Sequence, residues 1–358
     1  MFRHNIQPIV FLSYLSLPLV LFCYYISSPS EGSFTTNYGY LPCIISRDPP
    51  ACWLSWTDVN ELVPEAAGRT VLVRGWVQAI RSVGKKLTFL VVRDGFAIVQ
   101  CVIFTGKAGV VDEMTQFSRN IPKESFIRIE GIVSVPSKPL QGTTQQVELS
   151  VNKIYCISQA LNLSPFLFED ATRSYEELKD AVDRGQKLPD VALDIRLNNR
   201  PYDLRTPANQ AIFRIQSLAE SEFCKILASK GFLGTHTPKI TPGVSEGGSA
   251  VFMLKYVNGQ TASLAQSPQL YKQMLINAGL KQVMEVGVYR AEKSNTYRHL
   301  CEYIGLHAEM EIKEHYFEVI DIVDILFVKL FDHITQTCKA ELDILKNQHP
   351  FEPLKVKV

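Results

Sequence analysis

Residues 289–312 read YRAEKSNTYRHLCEYIGLHAEMEI, and this stretch decides how the second half of the chain folds. Its first residues end a predicted strand over residues 283–290, residues 292–300 form a polar loop, and residues 301–312 form a second strand. In that second strand the period-two alternation places polar residues on one face and apolar residues on the other. The pattern therefore predicts a strand–loop–strand hairpin in an antiparallel sheet.

The hairpin concentrates five polar side chains within thirteen residues: Arg290, Glu292, Arg298, His299 and Glu302. Arginine presents a planar fork that suits phosphate or carboxylate groups, and a carboxylate two residues on can accept a hydrogen bond from a base amine. The alternative is a salt-bridged surface hairpin. Because the chain contains neither a Walker loop nor GxGxxG, a nucleotide site here must use side-chain clamps on an antiparallel sheet.

Upstream of the hairpin, residues 245–256 (SEGGSAVFMLKY) read as a double-glycine loop that leads into a strand. The loop Glu246-Gly247-Gly248 is a candidate mobile lid, because glycine relieves backbone restriction, and the alternative is a plain turn. The next segment, LAQSPQLYKQMLINAGL, reads as a loop and a helix. On this helix Lys272 is a candidate ligand for a substrate carboxylate, and the alternative is an ordinary solvated lysine.

Amphipathic helices flank these segments. Thr206-Pro207 reads as an N-cap with proline at the first helical position, apolar residues follow at helical spacing, and Gly231 ends the run. A charged stretch over residues 175–184 is also helix-like. The last part of the chain, residues 319–346, is predicted to be one amphipathic helix.

Residues 69–157 read as short strands rich in Val and Ile, with turn residues between them. The predicted strands cover residues 71–81, 87–95, 97–104, 125–135 and 146–158. A short helix over residues 114–120 follows the third strand, and this order fits an oligonucleotide-binding barrel. Such barrels stack bases on aromatic side chains beside basic ones, although an aromatic residue in a strand more often belongs to the core. The candidates for this role are Phe89, Arg81, Lys85, Lys86 and Arg93.

The composition is that of a globular protein, with 46% hydrophobic and 20% charged residues, and 358 residues suffice for about two domains. The 37 Lys and Arg residues balance 36 Asp and Glu residues, which excludes a strongly basic protein that coats polyanions but not a local basic face. The eight cysteines contain no CxxC pair, so they indicate buried thiols in a reducing compartment rather than a zinc ribbon or a redox dithiol.

The first fifty residues differ from the rest. Residues 9–26 are almost entirely apolar and follow Arg3 and His4, a pattern typical of a signal peptide or a short membrane anchor. Pro18 weakens the interpretation as a spanning helix. The alternative is a non-native leader from a defective gene model or a splice variant.

Taken in order, these pieces carry a family resemblance. A long helix is followed by TPKI (237–240), SEGG (245–248), QSPQLYKQ (266–273) and the hairpin of residues 289–312. Behind a nucleic-acid barrel, this order resembles the class II aminoacyl-tRNA synthetases, and specifically the eukaryotic-type aspartyl-tRNA synthetases. The resemblance implies an α+β fold, in which a five-stranded OB-fold barrel is followed by a partial class II catalytic domain built on an antiparallel sheet.

The resemblance also implies how the chain is divided and what it binds. The implied parts are a leader (1–50), an OB-fold anticodon-binding domain (51–162), a hinge (163–205) and a partial catalytic domain without the third class motif (206–358). The implied partners are tRNA(Asp), L-aspartate, a second copy of the chain in a homodimer, and a multi-synthetase complex. We expect a cytoplasmic protein without a functional membrane association.

Residue roles follow from the resemblance. In the ATP site, Arg290 would bind the α-phosphate as the catalytic residue, Glu292 would read the adenine amine, and Arg298 and His299 would contact the outer phosphates, with Glu302 close by. The implied reaction forms aspartyl-adenylate and then transfers the aspartyl group to the 3′ end of the tRNA. Mg²⁺ would share the phosphate charge, with no metal ligand assigned to the chain.

The amino-acid site is implied by two motifs. Ser245, Glu246, Gly247 and Gly248 match the loop that closes over the substrate, and Gln269 and Lys272 match positions that hold aspartate. A buried lysine facing the amide of asparagine would be left unpaired, so Lys272 favours aspartate. In the barrel, the anticodon-reading positions are Arg81, Phe89 and Gln100, with Phe89 stacked on the central uridine.

Two departures from the family pattern oppose an active enzyme. His307 stands where the family has an aspartate for the substrate ammonium, and Glu309 on the same strand face would compensate in part. No glycine-rich third motif follows Gly305, so we expect weak or absent catalysis from this chain. The alternatives to an aspartate–tRNA ligase are a catalytically dead tRNA-binding paralogue, an asparagine–tRNA ligase and a membrane-anchored interaction protein.

Overall fold

The computed structural model describes residues 37–41, 55–107, 109–161, 164–243, 251–289, 291, 296 and 300–352. The chain divides into two compact units, Met1–Pro165 and Phe166–Val358, which we call the barrel unit and the second unit. The predicted apolar leader lies outside the described residues. Within the described ranges, no helix is long and apolar enough to cross a membrane.

The barrel unit is one sheet that closes on itself. Its strands are Tyr38–Tyr40 (β1), Thr70–Val83 (β2), Leu87–Asp94 (β3), Ala97–Phe104 (β4), Phe126–Ser134 (β5) and Glu148–Ser158 (β6). The order is β1–β6–β4–β3–β2–β5, and β5 also pairs with β6, so β2 to β6 form a closed five-stranded barrel. All five predicted strands are confirmed. Asp112–Asn120 (α1) confirms the predicted helix after the third strand, and two short 3₁₀ helices occupy Val59–Glu61 and Pro64–Ala66.

Closure depends on the long strand β2, which serves two neighbours. Its first half pairs with β5 and its second half with β3, so the strand must turn through the barrel corner. Gly75 lies at this corner, where a Cβ atom would approach the Arg93 carbonyl oxygen to 2.6 Å. Alternate residues point inwards from every strand, and Leu90, Ile129 and Ile154 are fully buried in the resulting core.

The second unit alternates helices with short strands. Its helices are Phe168–Thr172 (α2), Tyr175–Asp183 (α3), Leu193–Asn198 (α4), Arg200–Asp203 (α5), Pro207–Ser229 (α6), Gln269–Asn277 (α7), Phe317–Thr337 (α8) and Lys339–Gln348 (α9). Its strands are Leu233–Gly234 (β7), Ile240–Thr241 (β8), Met253–Lys255 (β9), Thr261–Leu264 (β10), Gln282–Tyr289 (β11) and Glu302–Met310 (β12). The described strands form two three-stranded sheets, in the orders β8–β10–β9 and β12–β11–β7.

The predicted helix starts are found where the sequence places them. Ser174 and Glu177 form a reciprocal capping box at the start of α3. Thr206 is the N-cap of α6 and Pro207 occupies its first turn, as predicted. The Thr206 hydroxyl, however, donates to the Asp203 carbonyl oxygen at 2.7 Å instead of capping the helix.

The predicted hairpin is confirmed as β11 and β12, which pair antiparallel and carry a register irregularity between Val286 and Val288. The alternation along β12 is also confirmed, but burial is inverted relative to polarity. The polar face that bears His307 and Glu309 is half-buried, whereas Ile304 on the apolar face is 51% exposed. Helix α7 packs on this sheet, and its buried Lys272 contacts Glu309 of the polar face.

The prediction of one helix over residues 319–346 is wrong. The chain bends at Cys338, where ψ is 32°, and this bend separates α8 from α9. The segment contains neither proline nor glycine, so the cause is tertiary. Cys338 is buried, α9 packs along α6, and the Gln348 side chain at the end of α9 donates to the Ala171 carbonyl oxygen at 2.8 Å. A straight helix could not make these contacts.

Candidate functional site

The outer face of the barrel brings the three predicted base-reading residues together. Arg81 of β2 lies directly opposite Phe89 of β3, and Gln100 of β4 lies opposite Val91, two residues along β3 from Phe89. Because residues two apart on a strand share a face, all three side chains lie on one surface. The guanidinium carbon of Arg81 is 5.2 Å from the centre of the Phe89 ring, within the range of a cation–π contact.

Glu148 is a member of this face that the sequence reasoning missed. It lies opposite Gln100 in the parallel β4–β6 pairing, and the Gln100 amide nitrogen donates to its carboxylate at 2.6 Å. This bond fixes the orientation of the Gln100 carboxamide, because its nitrogen faces Glu148 and its oxygen therefore points away from Glu148. The signal in the sequence was that Glu148 is a polar residue near the start of the predicted strand over residues 146–158. Its contact with Gln100 could not be inferred from a local pattern, because the two residues are 48 positions apart.

Arg119 of α1 holds the hairpin that carries Arg81 and Phe89. Its Nη2 donates to the Gly84 carbonyl oxygen at 2.9 Å, and its Nε donates to the Thr88 hydroxyl at 3.0 Å. The helix thus fixes the β2–β3 turn from the side. Sequence reasoning gave Arg119 no role, because nothing local links the helix to that turn.

The suggestion that Arg93 serves as a basic surface residue is wrong. Arg93 is 2% exposed and forms a bidentate ion pair with Glu124 inside the barrel unit, with Nη2 at 3.1 and 3.0 Å from the two carboxylate oxygens. A buried guanidinium must be paired, because its desolvation is costly. Lys85 and Lys86, by contrast, are exposed at the β2–β3 turn, as the suggestion requires.

In the second unit, Lys272 is a buried charge rather than a solvated one. It lies on α7, is 3% exposed, and its ammonium is 3.3 Å from a carboxylate oxygen of Glu309 on β12. Gln269 begins the same helix and is exposed, and its backbone N–H donates to the Ser267 hydroxyl at 3.1 Å. The buried ammonium and its carboxylate partner form the charged centre of the candidate amino-acid site.

A second buried carboxylate, Glu285, lies beside this centre on β11. One of its oxygens accepts hydrogen bonds from the Thr237 backbone N–H at 2.7 Å, the Thr237 hydroxyl at 2.8 Å and the Lys239 ammonium at 2.5 Å. Burial acts to raise the pKa of Glu285, but these hydrogen bonds outweigh it, and the pKa lies below its ordinary value. Glu285 therefore stays ionised and ties the TPKI segment to the hairpin.

His307 lies directly opposite Glu285 across the β11–β12 pair, and Glu309 lies opposite Val283. Directly opposed residues have Cβ atoms about 5 Å apart, so the imidazole sits beside an ionised carboxylate. Glu302 begins β12, is exposed, and lies opposite Tyr289. The face of β12 that meets Lys272 thus carries Glu309 and a histidine, and Glu285 on the neighbouring strand is a second acid beside them.

The other predicted site residues lie outside the described residues. They are Arg290, Glu292, Arg298, His299, Ser245, Glu246, Gly247 and Gly248. Among the residues that the structure describes, no group of three or more His, Cys, Asp or Glu side chains is placed to hold a metal ion.

Two family models match the chain, one in each unit. An OB-fold nucleic acid binding domain matches residues 71–157, and the model named tRNA synthetases class II (D, K and N) matches residues 192–357. The chain belongs to the class II aminoacyl-tRNA synthetases. The barrel match contains Arg81, Phe89 and Gln100, and the synthetase match contains Lys272 and the hairpin. The α+β fold implied by the resemblance is confirmed.

Curated members of this family are similar over most of the chain. The chain is 46% identical to aspartate–tRNA ligase 2, cytoplasmic, of Arabidopsis thaliana over 342 residues, with 92% of the chain and 61% of the relative covered. It is 49% identical to aspartate–tRNA ligase 1, cytoplasmic, of the same plant over 300 residues, with 84% and 56% covered. The chain therefore spans about three fifths of the length of these relatives.

Solved synthetase structures share the architecture. A putative aspartyl-tRNA synthetase from Leishmania major superimposes with a TM-score of 0.79 at 39% identity, covering 89% of this chain and 59% of that one. The aspartyl-tRNA synthetase from Entamoeba histolytica gives 0.78 at 38% identity, covering 88% and 62%. The asparaginyl-tRNA synthetase from Pyrococcus horikoshii, complexed with asparaginyl-adenylate, is more distant, with 0.67 at 27% identity and 84% and 64% covered.

Proposed function

We propose that this protein is a cytoplasmic aspartate–tRNA ligase, which uses ATP to form aspartyl-adenylate and transfers the aspartyl group to the 3′ end of tRNA(Asp). One observation carries the proposal: the ammonium of Lys272 is buried at the sheet and faces a carboxylate at 3.3 Å. A buried cation on the substrate side of a synthetase sheet selects an amino acid with an anionic side chain. The similarity to aspartate–tRNA ligases supports this choice.

The selection follows from hydrogen-bond chemistry. The ammonium of Lys272 has three donors, and Glu309 uses one of them, so a substrate carboxylate can accept from another. A bond between two ionised groups is about twice as strong as a neutral one. The amide of asparagine offers only a neutral oxygen and brings an NH₂ group toward a cation, so asparagine binds less well.

Glu309 also supports recognition of the substrate ammonium. It lies two residues from His307 on the same half-buried face of β12, where the family pattern has an aspartate in place of the histidine. Glu309 therefore supplies the negative charge that His307 lacks. Glu285 stays ionised behind His307 and adds to the negative potential at this end of the sheet.

The ATP site is proposed from the family resemblance alone. Arg290 binds the α-phosphate as the catalytic residue, Glu292 reads the adenine, and Arg298, His299 and Glu302 contact the outer phosphates. As the resemblance implies, Mg²⁺ would share the phosphate charge of ATP, with no ligand assigned to it among the described residues.

The barrel face of Arg81, Phe89 and Gln100 is proposed to read the anticodon, with Glu148 orienting Gln100. Helix α6 exposes Ile212 and Phe213, which supports the proposed homodimer surface. Aspartate, tRNA(Asp) and a multi-synthetase complex complete the proposed partners. The cytoplasmic location rests on the names of the relatives.

Substitution of Lys272 tests the amino-acid assignment. In Lys272→Met the charged partner of aspartate is removed, and we expect aspartate affinity to fall by about 10- to 100-fold, the equivalent of one hydrogen bond to a charged group. The measurement is the rise in melting temperature with aspartate concentration, together with ATP–pyrophosphate exchange. Lys281→Met is the matched control, because Lys281 is exposed and lies 3.9 Å from Glu311. Equal aspartate binding by Lys272→Met and the unmodified chain would contradict the assignment.

A tRNA-binding paralogue without ligase activity is the second candidate, and His307 favours it. In that case the chain binds tRNA(Asp), while aspartate produces neither exchange nor a shift in melting temperature. Stabilisation by asparagine instead of aspartate would identify the asparagine–tRNA ligase.

The barrel assignment is tested separately by Phe89→Leu, which should weaken tRNA(Asp) binding by about 1–3 kcal/mol through the loss of stacking. A tRNA with a changed central anticodon base should show no further loss of affinity in this variant.

A further inference from the structure

A second cluster of cations and rings lies on the barrel, away from the predicted anticodon face. Arg74 of β2, Arg128 of β5 and Tyr155 of β6 lie directly opposite one another in one row across three strands. Trp56 covers the row, because the Thr57 N–H donates to the Leu72 carbonyl oxygen at 2.9 Å and holds the segment along β2. We call Trp56, Arg74, Arg128 and Tyr155 the Arg–Trp cluster.

The guanidinium groups of this cluster stack on aromatic rings. The Trp56 ring centre is 4.8 Å from the Arg74 guanidinium carbon and 5.7 Å from that of Arg128, and the Tyr155 ring centre is 5.6 Å from Arg128. Trp56 is 39% exposed, so the cluster is open to solvent. Stacking on a ring face leaves the edges of a guanidinium available to hydrogen-bond acceptors.

Arg74 and Arg128 are like charges that lie opposite each other on neighbouring strands. Directly opposed like charges destabilise a strand pair, yet in the described part of the chain no carboxylate pairs with either arginine. The acid in the next row, Glu130, is already bound to Lys153 at 3.2 Å. The Arg128 Nε atom is buried and has no hydrogen-bond partner among the described residues. The row is therefore complementary to an anion with several acceptor oxygens.

We infer that the Arg–Trp cluster is a second RNA-binding site, which binds a backbone phosphate between Arg74 and Arg128 and stacks a base or ribose on Trp56. Arginine forks match phosphate oxygens, and exposed rings beside arginines are the usual platform for single-stranded nucleic acid. An acidic peptide would satisfy the arginines but would leave Trp56 without a stacking partner. The site does not read sequence, because phosphate and stacking interactions carry no information about base identity.

The new site is separate from the anticodon face. Arg74 and Arg81 lie seven residues apart on β2, about 23 Å along the strand, and they face different neighbours, β5 for Arg74 and β3 for Arg81. A nucleic acid that contacts both surfaces must run along β2. The inference rests on the proposed tRNA function only in choosing RNA as the occupant.

The test uses Arg128→Glu in the full chain. The new carboxylate would lie opposite Arg74 and form a cross-strand ion pair, so the barrel should stay folded while the anion site is removed. Binding of tRNA(Asp) and of a labelled single-stranded oligocytidine is measured by fluorescence anisotropy between about 50 and 200 mM KCl. We expect both affinities to fall by about tenfold, and the slope of the salt dependence to flatten by about 0.7 to 0.9 for each phosphate that the variant no longer binds.

Four further measurements separate the outcomes. Arg128→Lys keeps the charge, so the salt dependence should be retained, whereas Phe89→Leu should weaken tRNA(Asp) binding and leave oligocytidine binding at the Arg–Trp cluster intact. If Arg128→Glu binds both RNAs as the unmodified chain does, the inference is overturned, whatever Phe89→Leu shows. If inorganic phosphate raises the melting temperature through Arg128 while RNA binding is unchanged, the site holds a small anion and the RNA assignment is wrong. If polyglutamate displaces oligocytidine at an equal concentration of charged groups, the occupant is an acidic protein, and this result also overturns the inference.

Discussion

The two units of this chain bury their side chains in different ways. The barrel closes β2 to β6 on themselves, and one continuous core of fully buried residues fills it. In the second unit the described strands form two open sheets, and the main apolar cluster, where helices α6 and α8 pack near Phe232 and Met284, is much smaller. Ile304 and Leu306 of β12 remain exposed there.

The difference shows what closure achieves. A closed sheet has its apolar face on the inside, so the same alternation that forms the strands also forms the core. An open sheet covers its apolar face only where a helix packs on it. In the second unit α6 and α8 cover part of the apolar face around Met284 and Met310, and α7 packs on the polar face of β12, where it buries Lys272 with Glu309. The larger apolar core thus lies in the barrel, whereas in the second unit an ion pair is buried at the candidate site.

The largest effect is expected at the buried ion pair of the barrel. Glu124→Ala would leave the buried Arg93 without its bidentate carboxylate, and we expect the free energy of unfolding to fall by about 3–5 kcal/mol. Urea unfolding followed by alkylation of Cys101 and Cys156 measures this, because burial raises the pKa of both thiols, that of Cys156 to about 12, and protects them until the barrel opens.

The control for this variant is Glu130→Ala, which removes the half-exposed pair with Lys153 and should cost at most about 1 kcal/mol. Equal losses of stability in the two variants would show that burial does not distinguish these ion pairs.

The next largest effect is expected when a buried isoleucine of the barrel is compared with an exposed isoleucine of the second unit. Ile129→Ala removes a fully buried side chain from the barrel and should destabilise it by about 2–5 kcal/mol. Ile304→Ala removes an exposed side chain from β12 and should change stability by less than about 1 kcal/mol, the span of strand propensities. Calorimetry of both variants checks the pair. A large destabilisation by Ile304→Ala would mean that this face is covered in solution, and the contrast between the units would disappear.

The smallest effect is a pH dependence confined to the second unit. Because the folded pKa of Glu285 lies below its ordinary value of 4.5, its stabilisation is fully present above that pH and is lost as the pH falls through the folded pKa. We expect the melting temperature of the second unit to fall more steeply below about pH 4.5 than that of the same unit in Glu285→Gln. Identical acid profiles for the two proteins would remove Glu285 as the cause.

Local patterns predicted the elements well. The five barrel strands, the helix after the third strand, α6 and the β11–β12 hairpin all follow from alternation, helical spacing and turn residues. The bend at Cys338 could not be predicted, because the packing of α9 on α6 causes it rather than any helix-breaking residue.

The candidate site could likewise be predicted from the sequence only in part. The residue types and their order were visible in the motifs, and the register of β2, β3 and β4 places Arg81, Phe89 and Gln100 on one face. Glu148 and Arg119 were missed, because each reaches the face from a distant segment. The roles of these residues in binding stay predictions.

The sequence by itself determined the barrel strands, helix α6, the β11–β12 hairpin and the family, because periodicity and motif order are contained in neighbouring residues. Only the tertiary structure decided which charges are buried. Arg93 and Lys272 have the same kind of sequence surroundings as a solvated cation, and their partners, Glu124 and Glu309, lie 31 and 37 residues further along the chain. A cation can leave water only where the fold brings a carboxylate to it, so the site of this protein depends on long-range pairings that no local pattern contains.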